Sequence, residues 1–236
     1  ALANTLYGIT QANSNLSHIE QIDCADVCEA IGEICKASRF FKWQAKEISA
    51  VMCGLSKNSK SIADGLVDLA VDAMCGPNLS NFYKLDCKDV ISLCWAFTRC
   101  SDKHYEPDPN KPLNHRIEKV VPPSVKRFLS VVVRHLTDTY PDGFDDSLAV
   151  EDACRMVCCL GAADMRKHHF TRKCCDKIAC SISELPIVDI GVLVHYLSKL
   201  RFYHDQLCRV ILSSADQLAE KLDDDSLLYT FLAMCS

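Results

Sequence analysis

Residues 148–167 read LAVEDACRMVCCLGAADMRK, and residues 185–204 read LPIVDIGVLVHYLSKLRFYH. Laid over one another without gaps, both begin on a leucine (Leu148, Leu185) and place an acid fifth (Asp152, Asp189). Each then sets an apolar residue before a small one at the thirteenth and fourteenth positions, Leu160-Gly161 and Leu197-Ser198. Apolar side chains recur at three- and four-residue steps, as in Ile190, Leu193, Val194 and Leu197, which is the period of one helix face. The acid falls in the first turn, where a carboxylate meets the positive end of the helix dipole and can cap free N–H groups. A small residue late in the helix suits close approach of a neighbouring helix.

The register continues in both directions. Segments starting at Ile22, Leu85 and Leu222 carry Asp26, Asp89 and Ser226 at the fifth position. They carry Ile34-Cys35, Phe97-Thr98 and Met234-Cys235 at the thirteenth and fourteenth. Successive starts are 63, 63, 37 and 37 residues apart, and 37 residues hold two helices and two turns. In the first helices Val27, Ala30, Ile31 and Ile34 mark the expected buried face. The second helices repeat the period in Ile48, Val51, Met52 and Leu55, in Phe128, Val131, Val132 and His135, and in Leu207, Val210, Ile211 and Leu218. The longer intervals hold insertions near 57–84 and 101–123. The first is read as a helix, Ser61–Cys75, and the second as a polar, Pro-rich loop before a helix, Ser124–Thr139. Leu129–Val133 is β-prone in isolation, but Pro122-Pro123-Ser124 ahead of it reads as a helix start.

The expectation is an all-α chain: an α-solenoid of stacked helical hairpins, one domain over 1–236, with repeats of about 37 residues. Such hairpins bury their apolar sides only by stacking on one another. Ala1–Gln21 read as the second half of a preceding unit, and the sequence stops inside a unit.

Composition agrees with a packed chain. Hydrophobic residues make up 49% of the 236 and charged residues 24%, with only 8 Gly and 8 Pro, which excludes a disordered or collagen-like polymer. The net charge of −5 argues against a surface that is basic throughout. No apolar run reaches the roughly 18 residues of a membrane span.

Sixteen cysteines raise the questions of disulfides and zinc. They sit within apolar segments at helical spacing, Cys24 with Cys28 and Cys154 with Cys158, and no Cys-x2-Cys pair occurs. They read as small buried hydrophobes in a reducing compartment. The best metal candidate, His168, His169, Cys174, Cys175 and Cys180, reads rather as buried thiols beside solvated histidines, so no metal or other cofactor is expected. Nothing resembles a P-loop, a nucleophile elbow, a dinucleotide fingerprint or a zincin helix. Asp142, Asp145, Asp146 and Asp223–Asp225 precede helices and read as caps. His195 lies on a mostly apolar helix. No catalysis is expected.

The five aligned segments, covering roughly 22–53 and 85–236, resemble the heptatricopeptide and octotricopeptide class. That class includes the helical-repeat parts of FAST-kinase-like and RAP-domain organellar proteins. The resemblance implies a non-catalytic component of a mitochondrial ribonucleoprotein in the matrix, such as a mitoribosomal protein touching rRNA and neighbouring proteins. The acidic net charge and the lack of a RAP-type domain in this stretch depart from the pattern. The alternative is a structural accessory subunit, or a peptide-binding adaptor of another mitochondrial complex, with no RNA contact.

Charge placement gives the RNA expectation specific residues. Lys36, Arg99 and Lys199 share one aligned position, and Lys46, Arg172 and Arg209 another. The densest cluster, 166–177, includes Arg166, Lys167, Arg172 and Lys173. Stacking would line such residues up for RNA phosphates, whereas an ordinary solvated helix face would look similar. Aromatics at the same junctions, Phe40, Phe41, Tyr105, Phe170, Phe202 and Tyr203, either stack bases or staple repeats together.

Overall fold

The computed structural model describes residues 8, 25–58, 65–76, 81–100, 121–144 and 148–213. Among these residues all regular structure is helical: nine α-helices and two 3-10 turns, with no strand. The repeat starts at Ile22 and Leu222 lie outside the described residues, as do Tyr105, Leu218 and residues 101–120 of the Pro-rich insertion. The chain divides into two compact units, Ala1–Phe128 and Leu129–Ser236, where the repeat register alone suggests one domain.

The first unit contains α1 (Ala25–Ser38), α2 (Ala45–Asn58), α3 (Leu66–Met74), α4 (Cys87–Cys100) and the start of α5 (Pro123–Thr139). Its centre is the contact of α2 with α4. Ile48, Val51, Met52 and Leu55 of α2 are buried as their spacing predicts, and so are Val90, Ile91, Leu93, Cys94 and Phe97 of α4. Phe128 enters this core edge-on to Phe97, with ring centroids 5.0 Å apart. The inserted helix α3 covers Leu66–Met74 of its predicted span, of which residues 61–64 lie outside the described residues. It follows Gly65, whose φ of 79° lies in the left-handed region that glycine enters without cost from a Cβ. Helix α5 opens on Pro123 at its first position, where a missing N–H costs nothing.

Helix α1 corrects the sequence reading. Of the expected face only Ile31 is buried; Cys28, Gly32 and Cys35 accompany it, while Val27 and Ile34 are 42% and 50% exposed. The helix is apolar on two sides, so periodicity alone does not fix its rotation.

The second unit contains α6 (Val150–Ala162), α7 (His168–Ser181), α8 (Ile187–Lys199) and α9 (Asp205–Ser213). Helix α6 packs against both α7 and α8, and α7 packs against α9. The small fourteenth residue explains how α6 and α8 come so close. A Cβ on Gly161 would lie 2.5 Å from Tyr196 Cβ and 2.8 Å from Tyr196 Cδ1, far inside van der Waals contact. Cys35 and Thr98, at the same aligned position, are also buried, and the Thr98 hydroxyl donates to the Cys94 carbonyl at 2.7 Å.

Helices α6 and α8 end in the same turn. Asp164 (φ 48°) and Arg201 (φ 50°) take the left-handed conformation 37 positions apart. Met165 N–H donates to Leu160 O at 2.9 Å and Phe202 N–H to Leu197 O at 3.0 Å. The N–H groups of Asp164 and Arg201 reach the Gly161 and Ser198 carbonyls. These are Schellman closures built without glycine. Leu85 and Leu185, both first-position residues, each close a 3-10 turn (Phe82–Lys84 and Ile182–Glu184) with a 3.1 Å bond. Both leucines are buried, as is Leu148.

The cysteines follow the packing expectation. Cys28, Cys35, Cys94, Cys154, Cys158, Cys159, Cys174 and Cys175 are buried outside any disulfide, Cys53, Cys75, Cys87, Cys100 and Cys208 are half-buried, and Cys180 is exposed. Burial pushes the Cys35 thiol up to about 11 and the Cys175 thiol up to about 12. A hydrogen bond with Cys154, then burial, raises Cys158.

Candidate nucleic-acid interface

The metal candidate is dispersed: His168, His169 and Cys180 are exposed while Cys174 and Cys175 are buried. Among the described residues no group of three or more His, Cys, Asp or Glu is arranged to hold a metal ion. His195 is half-buried, and burial together with Lys199 lowers its pKa. The first-turn acids stand where predicted, but capping falls to neighbours. In α4 that neighbour is Asp86, whose Oδ1 accepts the Asp89 N–H at 2.8 Å; α6 and α8 start on Ala149 and Pro186 with no side-chain cap bond, and buried Asp152 pairs with Arg155 Nη1 at 2.9 Å.

Of the basic candidates in the first unit, Lys36, Lys46 and Arg99 are exposed. Lys36 stands 3.9 Å from Glu33. Lys46 faces Asp89, whose carboxyl is raised by burial and Asp86 and drawn back by that lysine. In the second unit Arg166, Lys167, Arg172, Lys199 and Arg209 are exposed. Arg166 lies 4.0 Å from Asp164, and Arg209 pairs with Asp205 at 2.9 Å.

Lys173 is a correction. Its side chain is buried, and its ammonium donates to the Tyr140 carbonyl at 2.9 Å and to the Pro141 carbonyl. These are carbonyls at and beyond the C-terminal end of α5, where a cation offsets the helix dipole. Lys173 is therefore a structural tie rather than an exposed cation on a helix face.

Sequence reasoning missed Arg39, Lys42, Lys84 and Arg201, all exposed. The available signal was the set of junction aromatics, each beside a basic residue. In the α1–α2 turn, Arg39 (φ 49°), Phe40 (φ 55°) and Lys42 (φ 62°) are all left-handed. Each such non-glycine residue costs about 1–2 kcal/mol. The turn is pinned locally: Ser38 Oγ donates to Cys35 O at 2.9 Å, Phe41 N–H to Ser38 O at 2.9 Å and Trp43 N–H to Phe40 O at 3.1 Å. The buried Phe40 ring meets Trp43 edge-on at 5.3 Å. Phe41 is thrown outward, 75% exposed, with Lys42 Nζ over its ring at 5.4 Å.

Beside this turn lies a concavity of about 770 Å³. Arg39, Lys42, Lys46 and Lys84 supply its charge, Phe41 and Trp43 its aromatic surface, and among the described residues no acid lines it. The nearest carboxylate on α2, Glu47, is held by the Gln44 N–H at 2.8 Å. A second concavity, in the other unit, differs: Asp142 and Asp176 line it with Lys173 and Lys177, so its charge is mixed.

In the second unit a ring contact links the start of α7 to the Schellman turn after α8. The His168 ring, at the start of α7, sits 5.8 Å from the Phe202 ring at a 33° tilt. The exposed residues next to this contact in sequence, Arg166, Lys167, His169, Arg201 and Tyr203 (70% exposed), make up the basic and aromatic strip of this unit, with exposed Asp164 and Asp205 beside it. Exposed cations with outward aromatic rings are the chemistry of a groove that tracks a single strand and stacks its bases. No protein-family model matches the chain, and no curated protein matches it either.

Proposed function

We propose that the chain is a non-catalytic helical-repeat protein that holds RNA along the turns linking its paired helices. The observation that carries this reading is the composition of those turns. In each unit a turn with left-handed, non-glycine residues presents Lys and Arg beside exposed aromatic rings. Phosphate contact supplies sequence-independent affinity, and stacking accepts any base. Repeated turn geometry 37 residues apart supports an α-solenoid arrangement of the hairpins. The resemblance to the octotricopeptide class assigns the role to a mitochondrial ribonucleoprotein of the matrix, such as a divergent mitoribosome.

Exposed Val27 and Ile34 on α1 favour an additional contact with a neighbouring protein, the purely structural role being the second reading. The two are separated by binding of the purified chain to labelled single-stranded RNA over a salt series. The RNA reading expects affinity to fall with salt, and expects Arg166→Gln, Lys167→Gln and Arg172→Gln together to flatten that dependence by about two units of slope. Unchanged binding and slope in this triple variant would remove the second-unit strip from the reading.

A further inference from the structure

We infer that the concavity at the α1–α2 turn holds one unpaired nucleotide of an RNA strand, its base on Phe41 and its phosphate among Arg39, Lys42 and Lys84. This rests on the RNA reading above and makes it specific. The cavity, about 770 Å³, is of the size that encloses small ligands, roughly 300–1,000 Å³. Among the described residues its lining provides cations without a carboxylate, so its electrostatic preference is for an anion. Lys46 belongs to the same lining but is partly committed to Asp89.

Two features of the turn bear on a ligand. Three left-handed non-glycine residues within four positions oppose stability, and conformations of this kind cluster where a ligand is clamped. Their result is to seat Phe40 in the core while Phe41 is held in water, 75% exposed. Lys42 covers Phe41 as a cation over a ring. An exposed aromatic ring beside a lysine offers stacking and charge neutralisation in one place, which a nucleotide uses and inorganic phosphate does not.

The test is fluorescence anisotropy of the full chain with a labelled oligouridylate and with an RNA duplex of equal length, each across a salt series. Phe41→Ala is expected to weaken single-strand binding roughly 5- to 150-fold, the value of one stacked base, with the salt slope unchanged. Phe41→Tyr is expected to retain the affinity. Lys42→Gln with Lys84→Gln is expected to flatten the slope by about 1.4. Because Phe41 is exposed, an unchanged melting temperature for Phe41→Ala verifies the fold. Full affinity in Phe41→Ala overturns the nucleotide site and leaves the RNA reading standing. Equal binding of duplex and single strand, insensitive to Phe41, does the same. Failure of the unmodified chain to bind either RNA at low salt overturns both.

Discussion

Replacing Gly161 by alanine tests the close approach of α6 and α8 through the sign of its effect. In an open helix the change stabilises by about 1 kcal/mol, because glycine is the poorer helix former. Here the new methyl would lie 2.5 Å from Tyr196 Cβ, 2.8 Å from Cδ1 and 3.0 Å from Cγ. Favourable carbon contacts lie near about 3.5–4.0 Å, so the overlap is about 1 Å or more. A Cβ cannot rotate away, and relief requires the two backbones to part. Overpacking costs about 1–3 kcal/mol, and this geometry belongs at the upper end. After the propensity gain, the net loss is about 2 kcal/mol, a fall of roughly 8–16 °C in Tm for a unit of this size. Thermal unfolding followed by far-ultraviolet circular dichroism reads it. Tyr196→Ala leaves the nearest atom in place and should not rescue Gly161→Ala; Tyr196→Gly should recover part of the loss in a double-mutant cycle. A Gly161→Ala protein melting at or above the parent temperature would refute the packing argument.

Lys173→Met keeps the aliphatic stem but takes the ammonium donor from the Tyr140 and Pro141 carbonyls, the Tyr140 carbonyl keeping the Gly143 N–H at 3.4 Å, and urea unfolding should show a loss of about 2 kcal/mol. Buried His204 accepts the Leu207 N–H at Nδ1 (3.2 Å) and faces Asp176 through Nε2 (2.9 Å), so His204→Ala should cost about 1–2 kcal/mol by loss of the α9 cap. His204→Asn, able to cap but not to reach across, should lose less in the same measurement. The raised thiols set an alkaline limit: Cys35 and Cys175 stay protonated in the folded chain up to about 11 and about 12, while the unfolded chain releases those protons near 9. Stability is therefore complete below pH 9 and falls as pH rises towards 11–12, which denaturant titrations at stepped pH should reproduce. At pH 8, an aromatic disulfide reagent should label exposed Cys180 promptly and Cys174 or Cys175 only on unfolding.

The helices and much of the core were legible because amphipathic spacing leaves little freedom in Ile48, Val51, Met52 and Leu55, or in Leu193 and Leu197. Gly161 was legible as a contact because a small residue recurs at its aligned position. The rotation of α1 was not, since Val27 and Ile34 on one side compete with Cys28, Ile31 and Cys35 on the other. The turns escaped notice for a different reason. Left-handed backbone is normally signalled by Gly or Asn, and here Arg39, Phe40, Lys42 and Arg201 adopt it within locally hydrogen-bonded turns. Lys173, set in a basic run, carries the same letter as its solvated neighbours; its burial follows from where the end of α5 comes to rest. The RNA candidates on helix faces were visible as charges, but the pairing of charge with aromatic surface emerged only when His168 met Phe202 and Phe41 pointed away from Phe40.

The buried ammonium of Lys173 also makes an internal clock. Lys167, Lys177 and Lys199 offer their amines to solvent wholly or in part, so an acylating reagent finds them without waiting for any motion. Lys173 can be acylated only after it leaves its two carbonyl partners, when the end of α5 separates from α7. The rate at which that one lysine gains the label therefore measures how often this seam of the second unit opens.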